Sequence, residues 1–260
     1  MTICPHFKVL HSLDVCNQVC CVLRLPNFEL VAEQVIQLKN GVIYQGQAMI
    51  LNEVNLEIAQ GQFVYLIGKT GTGKSSLLKA LYADIPLVDG EGEVAGFSLQ
   101  NIKAKEVPFL RRKLGIIFQD FQLLMDRTVH ENLSFVLEST GLKSKEQIKV
   151  KVNNALSKVD LQTKAHKKPF ELSGGEQQRV VIARAIINNP EIILADEPTG
   201  NLDPETSDDI ISLLWRISRE SRTAVFMATH NYNLLEKFPS RIVKCIDGRV
   251  VEDQERIIIA

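Results

Sequence analysis

A glycine-rich loop constrains the fold of this chain more than any other feature of its sequence. The loop follows the apolar run 63–67, precedes a helical pattern over 76–81, and reads Gly68-Lys69-Thr70-Gly71-Thr72-Gly73-Lys74-Ser75. Glycines let successive backbone N–H groups converge on a phosphate, and the N-terminus of the following helix adds partial positive charge at the same point. The strand–loop–helix setting therefore predicts a phosphate-binding loop (P-loop) in an α/β fold.

The loop also carries the side chains that a nucleotide triphosphate needs. Lys74 is predicted to neutralise the β- and γ-phosphates, and the Ser75 hydroxyl to hold Mg²⁺. Ser76, which opens the helical pattern, is included in the predicted nucleotide site. The predicted ligands are therefore ATP and Mg²⁺.

Two carboxylates follow a second apolar run. Asp196 and Glu197 come directly after residues 192–195, which have the pattern of a strand buried in a parallel sheet. Acids in this position emerge at the carboxyl edge of the sheet, where α/β folds bind ligands. Asp196 is predicted to bind Mg²⁺, and Glu197 to polarise the water that attacks the γ-phosphate. The alternative is that both acids merely open the turn at 198–200.

A second anion site is indicated by Ser173-Gly174-Gly175, which precedes a long helical pattern. Ser173 is a natural N-cap, and the two glycines expose backbone donors. Because the P-loop already surrounds one nucleotide, this helix end is predicted to bind the nucleotide of a second copy of the chain. The alternative is a plain helix cap.

Together these motifs resemble those of ABC-type ATPases over residues 35–251. The resemblance implies that Gln119 contacts Mg²⁺ and the attacking water, that His230 holds the γ-phosphate, and that Tyr44 stacks on adenine. It implies that Asp203, in the segment 201–203, lies at the interface of a head-to-tail homodimer closed on ATP. Asn231 departs from the family pattern, which usually has Asp after the histidine.

Within the family, residues 106–112 and 118–129 resemble members that act in cell division. The other motifs equally fit relatives that drive lipoprotein release or macrolide export, and a nucleotide-gated scaffold with incidental hydrolysis is a third alternative. The resemblance implies an integral membrane partner. The chain is then expected on the cytoplasmic face of the inner membrane, in contact with the membrane only through that partner.

The net charge and the lengths of the apolar runs argue against nucleic-acid binding and against a membrane-spanning segment. The formal net charge is −1, which provides no broad positive field for nucleic acid, so no nucleic-acid partner is expected. The sequence has no run of about 18 apolar residues, and the chain is not expected to span a membrane by itself.

The sequence predicts one ABC ATP-binding domain over 34–256, with a mixed, mainly parallel sheet in a P-loop NTPase core. Residues 35–38 and 50–58 alternate apolar and polar side chains and predict a small antiparallel β-subdomain. A helical subdomain is predicted at about 120–172. Residues 1–33 form an N-terminal extension without a family counterpart and are expected to be disordered or to reflect a start assigned too early; the extension carries Cys4, Cys16, Cys20 and Cys21. These cysteines lack the spacing of a zinc site.

Overall fold

The structure is a computed structural model that describes residues 33–253. The cysteine-rich extension predicted at residues 1–33 lies outside this range, apart from residue 33. The last three residues of the predicted domain, 254–256, also lie outside it.

Within residues 33–253 the chain forms ten strands. They are β1 (Gln34–Gln45), β2 (Ala48–Ala59), β3 (Phe63–Ile67), β4 (Leu87–Val94), β5 (Phe97–Ser98), β6 (Leu114–Ile117), β7 (Ile192–Asp196), β8 (Ala224–Thr229), β9 (Arg241–Ile246) and β10 (Arg249–Glu252).

The same residues contain seven α-helices. They are α1 (Lys74–Leu81), α2 (Val107–Arg112), α3 (Val129–Ser139), α4 (Lys145–Lys158), α5 (Gly174–Ile186), α6 (Pro204–Ser221) and α7 (Tyr232–Lys237). None of these helices is both long and apolar enough to cross a membrane.

The strands form two sheets, and the smaller one is the antiparallel β-subdomain predicted from the alternation in residues 35–38 and 50–58. The smaller sheet has the order β2-β1-β4-β5 and is antiparallel. The larger has the order β10-β9-β3-β8-β7-β6, in which every pair except β10 with β9 is parallel. The predicted mixed α/β fold is confirmed.

Side chains on the two faces of the larger sheet enter two separate cores. Along β3, Tyr65 packs with the helices α3 to α6, whereas Val64 and Leu66 pack with α1 and the smaller sheet. All five residues of β3 are buried. Burial on both faces explains why the central strands are continuous apolar runs, while β2 alternates. Between β6 and α5 the chain forms α3 and α4, the helices expected between the sheet and Ser173.

Candidate active site

The predicted site residues follow four neighbouring parallel strands at one edge of the larger sheet. In the order β3-β8-β7-β6, these strands are followed by Gly68, His230, Glu197 and Gln119, respectively. The register is continuous, since Ile67 of β3 pairs with Thr229 of β8 and Ala228 of β8 with Asp196 of β7. Carboxyl ends of parallel strands meet at one edge, so the topology brings together residues that are far apart in sequence.

The P-loop joins β3 to α1 in the predicted manner. Gly73, the N-cap of α1, has a φ of 101°, in the left-handed region that glycine adopts without strain. A Cβ at this position would lie 2.8 Å from Cγ2 of Ile50. The loop therefore needs glycine at Gly73 both for its backbone conformation and for its approach to β2.

Lys74 is buried and folds back over the loop. Its Nζ donates hydrogen bonds to the carbonyl oxygens of Gly68 at 2.9 Å and Lys69 at 3.1 Å. The side chain is 5% exposed. The ammonium group is therefore fixed inside the curve of the loop, where a phosphate bound by the loop would lie beside it.

Asp196, at the end of β7, and Ser75, in α1, line the same cavity. Burial raises the pKa of Asp196 above its ordinary value, and the neighbouring Ser75 hydroxyl opposes this rise. A carboxylate and a hydroxyl thus meet beside the P-loop. Both are hard oxygen donors of the kind that Mg²⁺ binds.

Glu197 lies beside His230. Its backbone φ is 47°, in the left-handed region, so the chain turns sharply after β7. His230 Nδ1 is 3.0 Å from Glu197 Oε2, and the glutamate side chain is largely buried while the histidine is exposed. Strained backbone at a non-glycine residue is frequently found at functional sites. The pair can accept and orient a water on the open side of the sheet edge.

Gln119 lies at the same edge, with its backbone tied to the segment after Glu197. The Gln119 carbonyl oxygen accepts a hydrogen bond from Asn201 Nδ2 at 3.2 Å. A Cβ built on Gly200 would lie 3.5 Å from Gln119 Nε2. The exposed Gln119 side chain is thus adjacent to the turn that holds Glu197.

Ser173 caps α5 as predicted. Its Oγ accepts a hydrogen bond from Glu176 N at 3.2 Å, and Glu176 Oε2 accepts one from Ser173 N at 3.0 Å. Gly175 packs tightly against α6, because a Cβ there would lie 2.5 Å from Thr206 Cγ2. Within residues 33–253 no hydrogen bond joins Ser173 to the P-loop, and the nearest neighbours of a Cβ on Gly174 or Gly175 belong to Leu202 and Thr206.

Asp203 and Tyr44 occupy the edges of the site. Asp203 caps α6 by accepting a hydrogen bond from Thr206 N at 3.0 Å. Hydrogen bonds from the Thr206 backbone and side chain lower the pKa of Asp203. Tyr44 is half-buried in β1, and the next residue, Gln45, accepts a hydrogen bond from Ser76 Oγ at 3.4 Å. Tyr44 therefore lies near the start of α1.

Asn231, which departs from the family pattern, is the N-cap of α7. Its side chain accepts a hydrogen bond from Asn233 N at 3.1 Å at the start of α7.

Two contacts of the site were not anticipated from the sequence. The thiol of the buried Cys245 in β9 donates a hydrogen bond to Thr72 O at 2.8 Å, so β9 contacts the P-loop directly. Arg184 in α5 donates to Phe121 O at 3.0 Å and to Gln122 O at 2.5 Å, just after Gln119. Both depend on which elements become neighbours in space, and neither position belongs to a recognisable motif.

Among residues 33–253, no group of three or more His, Cys, Asp or Glu side chains could by itself enclose a metal ion. Mg²⁺ in nucleotide sites is usually bound by one or two protein ligands, with substrate phosphates and water completing its coordination. Ser75 and Asp196 fit such a partial site.

Comparisons with known proteins show which family the chain resembles. Residues 51–200 match the family described as "ABC transporter". The cell division ATP-binding protein FtsE of Mycobacterium tuberculosis is 46% identical over 206 residues, covering 79% of this chain and 89% of that protein. FtsE of Streptococcus pneumoniae serotype 2 is 43% identical over 213 residues, covering 82% of this chain and 92% of that protein.

A solved structure shares the fold. The dimeric structure of MJ0796, a bacterial ABC transporter cassette, superimposes with a TM-score of 0.73 at 37% identity, covering 83% of this chain and 96% of that one. A post-hydrolysis dimer of the same cassette is bound to ADP and Pi, with a TM-score of 0.72 at 35% identity over the same shares of the two chains.

Proposed function

We propose that this chain, which belongs to the ABC transporter family of ATP-binding proteins and is FtsE-like within it, is the ATP-binding subunit of an FtsE–FtsX-type cell-division complex. It is an ATPase, which converts ATP and water to ADP and phosphate. The division role is supported by 43–46% identity to FtsE proteins over about four fifths of the chain. The output of the complex would be the control of cell-wall hydrolysis.

The observation that carries the proposed catalytic roles is the contact between Glu197 and His230 at the strand edge beside the P-loop, with Nδ1 and Oε2 3.0 Å apart. Glu197 polarises the attacking water as general base, a role typically worth 10²–10⁴ in rate. His230 orients that glutamate and contacts the γ-phosphate. Gln119, at the same edge, would position the water and supply a ligand to the metal ion.

Binding of ATP uses the P-loop from Gly68 to Ser76, with Lys74 on the β- and γ-phosphates and Tyr44 against the adenine. Ser75, Asp196 and Gln119 would hold Mg²⁺, which when bound would supply charge neutralisation at the β- and γ-phosphates. Burial of Asp196 supports this assignment, because a carboxylate partly removed from water favours a cation as partner.

Two copies of the chain would close head to tail on two ATP molecules. Ser173, Gly174 and Gly175 of one copy contact the γ-phosphate held by the P-loop of the other, and Asp203 lies at the interface. The separation of Ser173 from the P-loop within one chain supports this arrangement, as does the similarity to a dimeric cassette. Hydrolysis removes the bridging phosphate and reopens the dimer.

A second subunit of FtsX type, an integral membrane protein, links this ATPase to the membrane. The chain lies at the cytoplasmic face of the inner membrane and contacts the membrane only through this subunit. A transporter ATPase for lipoprotein release or macrolide export is the competing function, favoured by 37% identity to a transporter cassette. Both functions use the same ATPase site.

The experiment that separates them is a mild-detergent pull-down from native membranes with the Glu197→Gln variant. Loss of the general base should lower ATP turnover about 10²–10⁴-fold and retain the closed ATP-bound dimer, visible by size-exclusion chromatography. The matched control is Glu220→Gln on the exposed side of α6, which should hydrolyse ATP at the wild-type rate.

Mass spectrometry identifies the co-purified membrane protein and so distinguishes the division role from the transporter role. Recovery of a division permease supports the FtsE-like role, and recovery of a lipoprotein or drug permease rejects it while preserving the ATPase site. Unchanged hydrolysis in Glu197→Gln would remove Glu197 from the role of general base.

A further inference from the structure

Cys245 is the last buried residue of β9 and lies directly beside the P-loop. Ile67 of β3 pairs with Lys244 of β9 in parallel register. The next residues, Gly68 and Cys245, therefore lie side by side where the loop begins. A Cβ built on Gly68 would lie 2.6 Å from Cys245 O and 3.3 Å from Cys245 Cβ, so the two backbones are in close contact and a side chain at position 68 would separate them.

The thiol of Cys245 holds one carbonyl group of the P-loop. Its Sγ lies 2.8 Å from Thr72 O, and no backbone N–H outside the regular elements of residues 33–253 donates to that oxygen. The N–H and the hydroxyl of Thr72 both donate elsewhere, to Lys69 O at 3.3 Å and 2.8 Å. The direction of the Thr72 carbonyl therefore depends on Cys245.

The direction of this carbonyl determines the direction of the next N–H. The peptide bond between Thr72 and Gly73 is trans, and in a planar trans peptide the C=O and N–H bonds point in opposite directions. With the Thr72 carbonyl directed at β9, the Gly73 N–H points away from β9. Within residues 33–253 this N–H has no backbone acceptor, so it is available to a ligand.

The available N–H lies where an anion is expected. Gly73 is the N-cap of α1, and the unpaired N–H groups at the N-terminus of a helix bind anions. The next residue, Lys74, places its ammonium group inside the curve of the loop, on Gly68 O and Lys69 O. Because the two donors belong to adjacent residues, one bound polyphosphate can accept from both.

Cys245 is suited to hold the carbonyl because its thiol stays protonated and its position is fixed. Burial raises the pKa of the thiol, while the contact with Thr72 and the charge of Lys74 oppose this rise. A protonated thiol donates to a carbonyl oxygen, whereas a thiolate would repel it. The strand that carries Cys245 is paired on both sides, with β3 and with β10.

We propose that Cys245 is a positioning residue for ATP, whose thiol holds the Thr72 carbonyl against β9 and so aims the Gly73 N–H at the phosphates. The inference deepens the proposed function, since it takes the P-loop as the phosphate site from there. The competing account is that Cys245 only fills space, because it also belongs to the apolar core between the two sheets and α1.

Three substitutions separate hydrogen bonding from packing. Cys245→Ser keeps a donor, and a hydroxyl at this place stays within hydrogen-bond range of Thr72 O. Cys245→Val keeps an apolar side chain of similar size and removes the donor. Val243→Ala, at a buried position two residues earlier on the same face of β9, is the packing control. Each full-length variant is compared with wild type for thermal unfolding and for the Kd of ATP with Mg²⁺ by isothermal titration.

We expect Cys245→Val to weaken ATP binding about 2- to 10-fold, the equivalent of one hydrogen bond. Cys245→Ser should bind ATP as wild type does, and Val243→Ala should lower the melting temperature without changing the Kd. Wild-type affinity in Cys245→Val would overturn the inference. Equal weakening in Cys245→Ser and Cys245→Val would also overturn it, because the donor would then be irrelevant.

Selective isotope labelling observes the peptide group itself. With ¹³C at threonine carbonyls and ¹⁵N at glycines, only the residue pairs 70–71, 72–73, 140–141 and 199–200 give correlated NMR signals. Without nucleotide, the 72–73 signal should move in Cys245→Val and stay near its wild-type position in Cys245→Ser, with the 140–141 signal unchanged in both. An unmoved 72–73 signal in Cys245→Val would overturn the inference.

Failure of the inference is distinguishable from failure of the proposed function. If wild type binds ATP and Lys74→Ala does not, the P-loop remains the phosphate site whatever the Cys245 variants do. If wild type itself fails to bind ATP, both the inference and the proposed function are overturned.

Discussion

Lys74 illustrates how a single residue is prepared for its ligand. Its ammonium group is almost fully buried and contacts two neutral carbonyl oxygens, Gly68 O and Lys69 O. A phosphate oxygen is a stronger partner for a buried cation, because hydrogen bonds between ionised groups are about twice as strong as neutral ones. The side chain is therefore held at the site before phosphate binds.

Lys74→Ala should accordingly weaken ATP binding at least about tenfold, the equivalent of one charge-assisted hydrogen bond. Isothermal titration with ATP and Mg²⁺ measures this directly. Lys149→Ala, on the exposed side of α4, is the control and should bind ATP as wild type does. Wild-type affinity in Lys74→Ala would contradict the phosphate assignment.

The raised pKa of Asp196 predicts how the stability of the protein depends on pH. Because burial raises its folded-state pKa above the ordinary value, the folded protein binds this proton more tightly than the unfolded chain. The stabilisation is complete below the ordinary pKa and is lost as the pH rises through the raised pKa. At neutral pH the ionised Asp196 therefore destabilises the protein in the absence of Mg²⁺.

Asp196→Asn should raise the melting temperature at pH 7 in EDTA, and the gain should shrink as the pH falls toward 4. The same variant should lose Mg²⁺-dependent ATP hydrolysis. Differential scanning fluorimetry across this range measures the first effect, with the exposed Asp209→Asn as control. A gain that does not depend on pH would show that the ionisation of Asp196 is not its cause.

At the scale of elements, α3 is fixed to the preceding loop by one buried side chain. Asn132 is 2% exposed. Its Oδ1 accepts from Leu124 N at 2.8 Å, and its Nδ2 donates to Leu124 O at 3.0 Å and Thr128 O at 2.9 Å. Arg184 holds the start of this loop at Phe121 and Gln122, and the Asn132 amide holds its end at Leu124 and Thr128.

Asn132→Ala should lower the free energy of unfolding by about 2–4 kcal/mol, because several buried backbone groups lose their partner at once. Urea unfolding followed by circular dichroism measures the change. Asn153→Ala on the exposed face of α4 should change stability by less than about 0.5 kcal/mol. A similar small change in Asn132→Ala would mean that water replaces the amide.

The elements themselves were largely predictable, because their patterns are local. Two-residue alternation predicted β1 and β2, and the buried apolar runs predicted β3 and β7. Helix α2 was not predicted, since six residues are too few to show a helical period. The chemistry of the P-loop followed from its residues, but the neighbours of that loop did not: Cys245 supports it only because β9 pairs with β3.

At the scale of the whole molecule, the predicted catalytic groups lie on one sheet edge while the start of α5 lies apart from the P-loop. Within residues 33–253, Gly174 and Gly175 contact Leu202 and Thr206 near the start of α6, not the P-loop. A nucleotide on the P-loop would therefore be only partly enclosed by its own chain. Its enclosure needs a second copy, with two composite sites in the closed dimer.

Mixing two inactive variants tests this sharing. Lys74→Ala disables one half of each site. Ser173→Asp disables the other, because Asp still caps α5 but repels phosphate. Each variant alone should be nearly inactive. In a 1:1 mixture half of the dimers are mixed and contain one intact site, so phosphate release should reach about a quarter of the wild-type rate. Ser173→Asn, which caps α5 without charge, should retain most activity. A mixture no more active than its components would show that the P-loop and Ser173 do not act across two copies.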